Sequence, residues 1–459
     1  MKKRSLLLLI LFVGVLFANG SRNGDSLALV AFAEANPKSK LGWDFKKSID
    51  KWEGVSLVKN RVDAIIVGST VPKLTTIPEE FGKLTSLKTF NICFNNLRKL
   101  PDVLFTLKSL TSLVIDGNNL KVLPPEIGNL TNLTSFSMYG NKVAVLPDEL
   151  FKLTKLTYFD FHRNYNIKVL PAGIGKLVNL TMLDFDHNAI EVLPPEIGKL
   201  TKLKEFVPTW NKLTTIPPEL KNLKGISELD LHHNEITSLP KEIGEMTHLS
   251  AINLWMNNLS TLPQELGKLK TLDCLILSKN KFTSLPTVIG DLTGLSELEI
   301  KKNSLTTLPP EIGKLKNLKN LVLSNNQLST LPIEVTKLKP EWEFVIDTNC
   351  LNEKNLDNAV VKWLDKYQPS WRDSQKVVAI KTATKLLSSD MKISISKNRI
   401  TFSKVLPFNS HITITSVSGR QVVNCIGSGQ FVDIPNLSRG VYFVNIQGVA
   451  LNKQFKVRF

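Results

Sequence analysis

Cysteine and aromatic residues are scarce in this 459-residue chain: it has four cysteines, and 7% of its residues are Phe, Trp or Tyr. The cysteines stand singly, at Cys93, Cys274, Cys350 and Cys425. This spacing does not fit a disulfide framework or a CxxC zinc knuckle. We expect Cys93 and Cys274 to be passive surface residues rather than nucleophiles.

The sequence also lacks the short motifs that mark common catalytic sites. It contains no GxSxG, HExxH, P-loop or GxGxxG segment. Such motifs carry the nucleophile, the zinc ligands or the phosphate-binding loop of large enzyme classes. We therefore expect a non-enzymatic protein with no cofactor and no bound metal.

A long apolar run occurs at the start of the chain, in "MKKRSLLLLILFVGVLFANG". Its basic start, apolar centre and small-residue end at Ala18-Asn19-Gly20 are typical of a signal peptide, residues 1–20. The run is short for a membrane span, and an uncleaved anchor is the alternative. The sequence predicts an exported protein, secreted or at the cell surface, with no transmembrane segment in the mature chain.

Positive charge is in excess, with a formal net charge of +17. For an exported chain, anionic surface polysaccharide or lipid headgroups are a more suitable counterpart than nucleic acid. A solvated, lysine-rich surface explains the charge more simply.

Two residue ladders reveal an internal repeat. A Leu/Ile-Pro pair returns every 23 residues from Pro78 to Pro332, and an Asn ladder runs at the same spacing from Asn95 to Asn349. The single 24-residue step lies between Pro147 and Pro171. Two ladders of one period indicate a solenoid of stacked units.

One unit, "LTSLVIDGNNLKVLPPEIGNLTN" (110–132), defines the numbering used below, with Leu110 at position 1 and Asn118 at position 9. It resembles the leucine-rich repeat, LxxLxLxxNxLxxLPxxIxxLxx, over residues 74–349, about 12 repeats. The resemblance implies an α/β solenoid with a curved parallel sheet on its concave face and short helical turns on its convex face. It implies little about function.

The repeat pattern has its own physical meaning. Positions 3 to 5 should form a strand, and the Asn at position 9 should point inward to satisfy buried backbone groups. The apolar side chains of one repeat contribute about 14 kcal/mol gross on burial, less than the cost of ordering 23 residues. A lone repeat therefore cannot fold, and both ends of the array need caps.

Candidate caps flank the repeats. Residues 21–73 contain a predicted helix from about Ser26 and the tryptophans Trp43 and Trp52, and they resemble the N-terminal cap of extracellular leucine-rich-repeat proteins. Residues 350–375 carry apolar side chains at helical spacing. These side chains are Leu356, Val360, Trp363, Leu364 and Tyr367.

Beyond a linker, residues 376–390, alternating segments predict a small all-β sandwich over residues 391–459. "SVSGRQVV", "VDIPNLSRGVYFVNI" and a basic last strand resemble the type A sorting domain of the type IX secretion system of certain Gram-negative bacteria. The matching positions are Gly419, Arg420, Gly440, Tyr442 and Phe443. The Pro-Asn-Pro opening of that domain is missing. The resemblance implies that the secretion machinery is a partner and that the protein reaches the outer surface.

Binding residues of a solenoid are expected at exposed strand positions and adjacent loops, here positions 3, 5, 7 and 8. The central repeats carry an unusual set of aromatic, acidic and histidine residues at these positions and on the adjoining loop. The predicted partner-binding residues are Tyr158, Asp160, His162, Arg163, Tyr165, Met182, Asp184, Asp186, His187, Glu205, Trp210, Glu228, Asp230, His232, His233 and Trp255.

Three functions fit this set. Aromatic anchors with Arg and acidic residues suit recognition of a protein partner, with surface adhesion as a role. Stacked aromatics beside carboxylates would also suit a surface polysaccharide. A metal-dependent hydrolase is the third, with ligands drawn from Asp160, His162, Asp184, Asp186 and His187. Carboxylates and histidines on an open sheet are usually only solvated. We therefore predict recognition of a protein partner without a bound metal.

Two irregularities fall within this region. Pro208 stands at position 6, where an inward Leu or Ile is normal, and it removes a backbone donor beside Trp210. The extra residue of the 24-residue step lies in "NYNI", so that Tyr165 should bulge outward without disturbing Asn164 or Leu170. Each irregularity is either a tolerated slip or part of a binding site.

Overall fold

The structure, a computed structural model, describes residues 23–375, 393–396, 399–416, 421–433, 441–448 and 451–458. The chain divides into two compact units, Met1–Leu323 with Pro332–Val345, and Ser324–Leu331 with Ile346–Phe459. The predicted leader and linker lie outside the described residues, as do Gly419, Arg420 and Gly440. Among the described residues, no helix is long and apolar enough to cross a membrane.

The first unit opens with helix α1, Asn23–Ala35, and an antiparallel pair of strands, β1 (Val55–Val58) and β2 (Arg61–Ile66). Asp25 of α1 is 3% exposed and accepts two hydrogen bonds of 2.9 Å from Arg61 and one of 2.8 Å from the Val62 backbone. Two charged hydrogen bonds offset the desolvation of the buried carboxylate. The helix is thereby fixed to β2, which pairs with the strand of the next segment, Thr89–Asn91.

Each repeat contributes one three-residue strand, and the strands pair in parallel. The strands are β3 (Thr89–Asn91), β4 (Ser112–Val114), β5 (Ser135–Ser137), β6 (Tyr158–Asp160), β7 (Met182–Asp184), β8 (Glu205–Val207), β9 (Glu228–Asp230), β10 (Ala251–Asn253), β11 (Cys274–Ile276), β12 (Glu297–Glu299), β13 (Asn320–Val322) and β14 (Glu343–Val345). The predicted strand at positions 3 to 5 is confirmed.

A five-residue 3₁₀ helix follows the Pro of each repeat, as in Pro125–Asn129. The others are Glu79–Lys83, Asp102–Thr106, Asp148–Lys152, Ala172–Lys176, Pro195–Lys199, Pro218–Asn222, Lys241–Glu245, Gln264–Lys268, Thr287–Asp291, Pro310–Lys314 and Ile333–Lys337; shorter ones span Ile49–Lys51 and Glu353–Asn355. The parallel strands and short helical turns confirm the predicted solenoid architecture.

The Asn ladder joins successive repeats from inside. Asn118 is 4% exposed, and its Nδ2 donates to the carbonyls of Ile92 (3.1 Å) and Ile115 (3.0 Å), while its Oδ1 accepts from the Leu97 N–H at 2.9 Å. The amide thus satisfies backbone groups of its own repeat and of the preceding one. The predicted inward role of position 9 is confirmed.

The extra residue interrupts this ladder at one point. Asn164 keeps its bonds to the carbonyls of Met138 (3.1 Å) and Phe161 (3.0 Å), and Leu170 is buried, as predicted. The Ile167 N–H, however, turns back to the Asn164 carbonyl at 2.9 Å, and the buried Asn188 Oδ1 finds no partner among the described residues. The insertion therefore carries a cost that the repeat pattern alone does not show.

The parallel sheet is broken at Pro208. Strands β1 to β8 form one sheet and β9 to β14 a second, with no pairing between β8 and β9 in the part of the chain that the structure describes. Elsewhere the position-6 N–H donates to the next repeat, as from Leu231 to the Asn253 carbonyl at 2.9 Å. Pro208 has no N–H, so the Asp230 carbonyl lacks the equivalent donor.

The second unit contains a short helix before its strands. Helix α2 spans Asn358–Tyr367, with its N-terminus capped by the Asp357 carboxylate on the Ala359 N–H at 2.7 Å. Gln368 Oε1 accepts from the Ile346 N–H at 2.8 Å, which ties the end of this helix to the preceding turn of chain. Of the predicted apolar stripe, the side chains of Leu356, Val360, Trp363 and Leu364 are buried.

Five strands follow in the second unit: β15 (Ile393–Ser396), β16 (Arg399–Ser416), β17 (Gln421–Asp433), β18 (Val441–Gly448) and β19 (Leu451–Arg458). They form one antiparallel sheet in the order β15-β16-β18-β19, with β17 also paired to β16. Tyr442 and Phe443 lie in β18. The sandwich remains a prediction.

Candidate functional site

The candidate site lies on the open face of the strands in the first unit. Positions 4 and 6, such as Leu113 and Ile115, are buried, so positions 3, 5 and 7 point to the opposite side. The register between β6 and β7 places Asp160 beside Asp184. Because paired strands lie about 4.8 Å apart, side chains of neighbouring repeats can act on one ligand.

Asp160, His162 and Asp184 form a compact cluster on this face. Asp160 is 5% exposed, and its Oδ1 accepts from the His162 backbone N–H at 3.1 Å and lies 2.7 Å from His162 Nδ1. The same Nδ1 lies 3.7 Å from Asp184 Oδ2. The His162 ring stacks on Tyr139 with a centroid distance of 4.3 Å, which fixes its orientation.

Negative charge exceeds positive charge around this cluster. Burial raises the pKa of Asp116 to about 6, against the hydrogen bond from Ser137, and the nearby Asp160 carboxylate adds to the rise. Burial also raises the pKa of Asp184 to about 6, again with a contribution from Asp160. For His162, burial lowers the pKa, but the hydrogen bond and charge of Asp160 outweigh it and the net shift is upward. The cluster therefore favours an added positive charge.

A second Asp-x-His unit repeats this geometry without the extra carboxylate. Asp230 Oδ1 lies 2.7 Å from His232 Nδ1, as in the first unit. The strand neighbours of Asp230 at position 5 are Val207, across the sheet break, and Asn253. The second unit thus provides an internal comparison for the first.

Asp186 and His187 pair with each other rather than with that cluster. Asp186 Oδ2 lies 2.5 Å from His187 Nδ1, and its Oδ1 accepts from the Thr209 hydroxyl at 2.5 Å. Because both carboxylate oxygens are engaged, Asp186 is a poor candidate ligand. The structure does not bring together all five residues that the sequence suggested for a metal.

An aromatic row, defined as His187, Trp210, His233 and Trp255, runs along the rim at positions 7 and 8. The Trp210 ring is stacked between His187 (4.6 Å between centroids) and His233 (3.4 Å), and His233 meets Trp255 edge-on at 4.3 Å. Burial lowers the pKa of His233 to about 4, with further lowering by His232 and Lys279, so this ring is neutral near pH 7. Both faces of Trp210 are covered, and its exposed part is an edge.

Position 8 has left-handed backbone conformation throughout the repeats. Gly117 and Gly140 occupy it with φ of 59° and 63°, whereas His187, Trp210 and His233 have φ of 51°, 49° and 52°. Side chains in this region cost about 1–2 kcal/mol relative to glycine. Ten of the twelve repeats carry a side chain other than glycine here, so the three rings adopt the backbone conformation that the repeat imposes.

The remaining predicted residues flank these two groups. Glu205 and Glu228 are exposed at position 3 on either side of the sheet break, and Met182 is half-buried. Burial, with the charge of Asp160, raises the pKa of Tyr158 to about 12. Tyr165 is 60% exposed and lies 6.4 Å from the His187 ring, on the same rim as the exposed Arg163.

Two residues of the site, Asp116 and Tyr139, were not predicted from the sequence. Both stand at position 7. The strand positions of their repeats carry small or apolar residues, which gave no indication of a binding site. Asp116 Oδ1 accepts from the Ser137 hydroxyl at 2.6 Å and from the Tyr139 N–H at 3.0 Å. Position 7 is among the expected binding positions, but both residues precede the central repeats on which the prediction rests.

Two cysteine thiols of the repeats, Cys93 and Cys274, are poorly suited to nucleophilic chemistry. Burial raises the pKa of Cys274 to about 12, and the carboxylate of Glu297 adds to the rise. Burial and Asp116 raise the pKa of Cys93 as well. Both thiols stay protonated near pH 7, in keeping with their prediction as passive residues.

Family models match much of the repeat region. A leucine-rich repeat region model matches residues 146–235 and 219–306, and two further leucine-rich repeat models match residues 85–143 and 317–338. A search of curated protein sequences gave no significant match.

Several solved structures are similar. A leucine-rich repeat protein of Leptospira interrogans has 35% identity and a TM-score of 0.53, with 65% of this chain and 80% of that chain covered. The internalin inlF of Listeria monocytogenes, at 21% identity and a TM-score of 0.53 over 66% and 84% of the chains, shares the fold. The ectodomain of the Arabidopsis receptor kinase HAESA, in complex with an N-terminally extended IDA peptide hormone ligand, has 26% identity and a TM-score of 0.52 over 72% and 62%. The ladders, the parallel strands and these matches together show that the chain belongs to the leucine-rich repeat proteins.

Proposed function

We propose that this chain is an exported, non-enzymatic recognition protein that binds a protein partner through the centre of its open sheet face, with surface adhesion as a role. The observation that carries this proposal is the stacked aromatic row beside the acidic cluster of Asp160 and Asp184. Partly exposed Trp with a neighbouring charged rim is the composition of a protein-binding centre. The peptide complex of the similar HAESA ectodomain supports a protein ligand.

The acidic residues of the site favour a partner whose contacting segment is basic. The chain as a whole carries +17, yet Asp160, Asp184, Asp186, Glu228 and Asp230 face outward from the central strands. Opposite charge at the contact steers association and disfavours unsuitable partners. An extended segment with Lys or Arg would match this face.

A surface polysaccharide is the second candidate, and one observation weighs against it. Sugar rings bind by stacking on an open aromatic face, but both faces of Trp210 are covered by His187 and His233. The exposed edge of Trp210 suits insertion between side chains of a protein better.

The test is a binding screen of the mature chain against protein and glycan arrays, followed by variants on the partner found. Trp210→Ala should weaken protein binding by at least about 30-fold, as expected for a loss of about 2 kcal/mol at a hot spot. Trp342→Ala is the matched control, because Trp342 is 63% exposed outside the site. Unchanged binding in Trp210→Ala would show that the site is elsewhere, and binding to glycans alone would favour the polysaccharide.

We also propose that residues 1–20 and 391–459 direct the protein to the surface of a Gram-negative bacterium. The leader pattern and the resemblance at Gly419, Arg420, Gly440, Tyr442 and Phe443 support this role. The antiparallel pairing of β18 with β16 and β19 is compatible with a β-rich sorting domain.

A further inference from the structure

The open sheet face offers three converging metal-ligand atoms at one point. These are Asp160 Oδ1, His162 Nδ1 and Asp184 Oδ2, and suitable ligand atoms of the three residues lie within 4.8 Å of one another. They come from two adjacent strands and the turn that follows the first, so the fold itself holds them together. We propose that Asp160, His162 and Asp184 bind a divalent transition-metal ion such as Zn²⁺, with a fourth position open to solvent or to a ligand.

The distances fit such an ion. Zn²⁺ bonds to nitrogen and oxygen ligands are about 2.0–2.1 Å, so the ligand atoms of a tetrahedral site lie about 3.3 Å apart. Here His162 Nδ1 is 2.7 Å from Asp160 Oδ1 and 3.7 Å from Asp184 Oδ2. Small side-chain rotations would equalise these separations around an ion.

The surroundings hold the ligands in place. Tyr139 stacks on the His162 ring, and the Asp186 N–H donates to Asp184 Oδ1 at 2.9 Å, which leaves Oδ2 directed at the histidine. Asp160 is 5% exposed, and the contact found for its Oδ2 among the described residues is a long one, 3.4 Å, from the Tyr158 hydroxyl. Contacts of this kind, made by groups outside the ligand set, orient the side chains that bind a metal.

The local charge also suits a dication. Asp116, Asp160 and Asp184 lie near one another, and the histidine alone supplies at most one positive charge within the ligand set. An imidazole with two carboxylates favours Zn²⁺ or Co²⁺ over Ca²⁺, which takes six to eight oxygen ligands.

The test is calorimetric titration of tag-free, metal-stripped mature protein with Zn²⁺ near pH 7.5, together with the visible absorption of a Co²⁺ complex. One ion per chain should bind. His162→Gln should weaken binding by at least about 100-fold, the upper end of what loss of an outer contact costs. Asp184→Asn is the second variant, should the first not fold.

His232→Gln is the matched control, because Asp230 and His232 have the same 2.7 Å contact but no neighbouring Asp. The control should bind Zn²⁺ as the wild type does. Absence of binding, or an equal loss in the two histidine variants, would overturn the proposal. Since the readout is metal binding alone, the result does not depend on the proposed protein partner.

Discussion

Tyr165 lengthens one repeat, and the chain around it loses a buried hydrogen bond. In the preceding repeat the Val143 N–H donates to Asn164 Oδ1 at 3.1 Å, but the equivalent Ile167 N–H does not reach Asn188. A buried acceptor without a donor costs about 1–3 kcal/mol. The sequence predicts that the insertion leaves Asn164 and Leu170 undisturbed, and the cost instead falls on Asn188 Oδ1 of the next repeat.

We therefore expect that deleting Tyr165 stabilises the protein. Restoring the 23-residue step lets Ile167 donate to Asn188, and the free energy of unfolding in urea should rise by about 1–2 kcal/mol. Tyr165→Ala is the control, because it keeps the insertion and should change stability by less than about 0.5 kcal/mol. A deletion that destabilises the repeats would mean that the longer loop has a packing role of its own.

Some residues of the site could be predicted from the sequence, and others could not. The adjacency of Asp160 and Asp184 follows from the repeat period, because parallel strands in register place equal positions side by side. The stacking of Trp210 between two histidines depends on side-chain rotations, which periodicity does not specify. Asp116 was not predicted, because its raised pKa arises from burial under the next repeat and the sequence pattern does not show that burial.

At the scale of the elements, Pro208 has a larger effect than a harmless proline at a strand end. The loss of one N–H is accompanied by the absence of every β8–β9 pair among the described residues. In the adjacent repeat, the Ser250 N–H donates to the Ser227 carbonyl at 2.8 Å, but no equivalent bond joins Ser227 to Lys204. The sequence left open whether Pro208 is a tolerated slip or part of a binding site. It did not predict that the loss of pairing extends along the strand, since this depends on how far one backbone defect propagates.

Replacing Pro208 by Leu should repair the sheet. The leucine restores both the N–H toward the Asp230 carbonyl and the apolar side chain that position 6 normally carries, for a net gain of about 1 kcal/mol. Amide hydrogen exchange should show new protection in peptides covering residues 204–230. Peptides covering β10 and β11, which already pair, are the internal control. If exchange at residues 204–230 stays fast, the break has a cause other than the missing N–H.

At the scale of the whole molecule, the repeat region was the most predictable part. Equivalent positions of successive repeats make the same contacts, so one sequence period specifies the strand, the turn and the buried Asn together. The last segment differs, because its strands pair over long separations, as Arg399 does with Asp433. Alternation predicted that these segments are strands, but it does not specify which strands pair or in what register.

The two ends of the chain are proposed to act together in export, and two engineered variants can test this in a Gram-negative host that has type IX secretion. Deleting residues 391–459 while keeping the leader should trap the protein in the periplasm, because the leader directs passage across the inner membrane alone. A reporter joined to residues 1–20 and 391–459 should reach the surface in that host and stay periplasmic in a strain without the machinery. Cell fractionation, with protease treatment of intact cells, measures both. Surface exposure of the deletion variant at the wild-type level would rule out residues 391–459 as the sorting signal, and the repeats would then have to carry it.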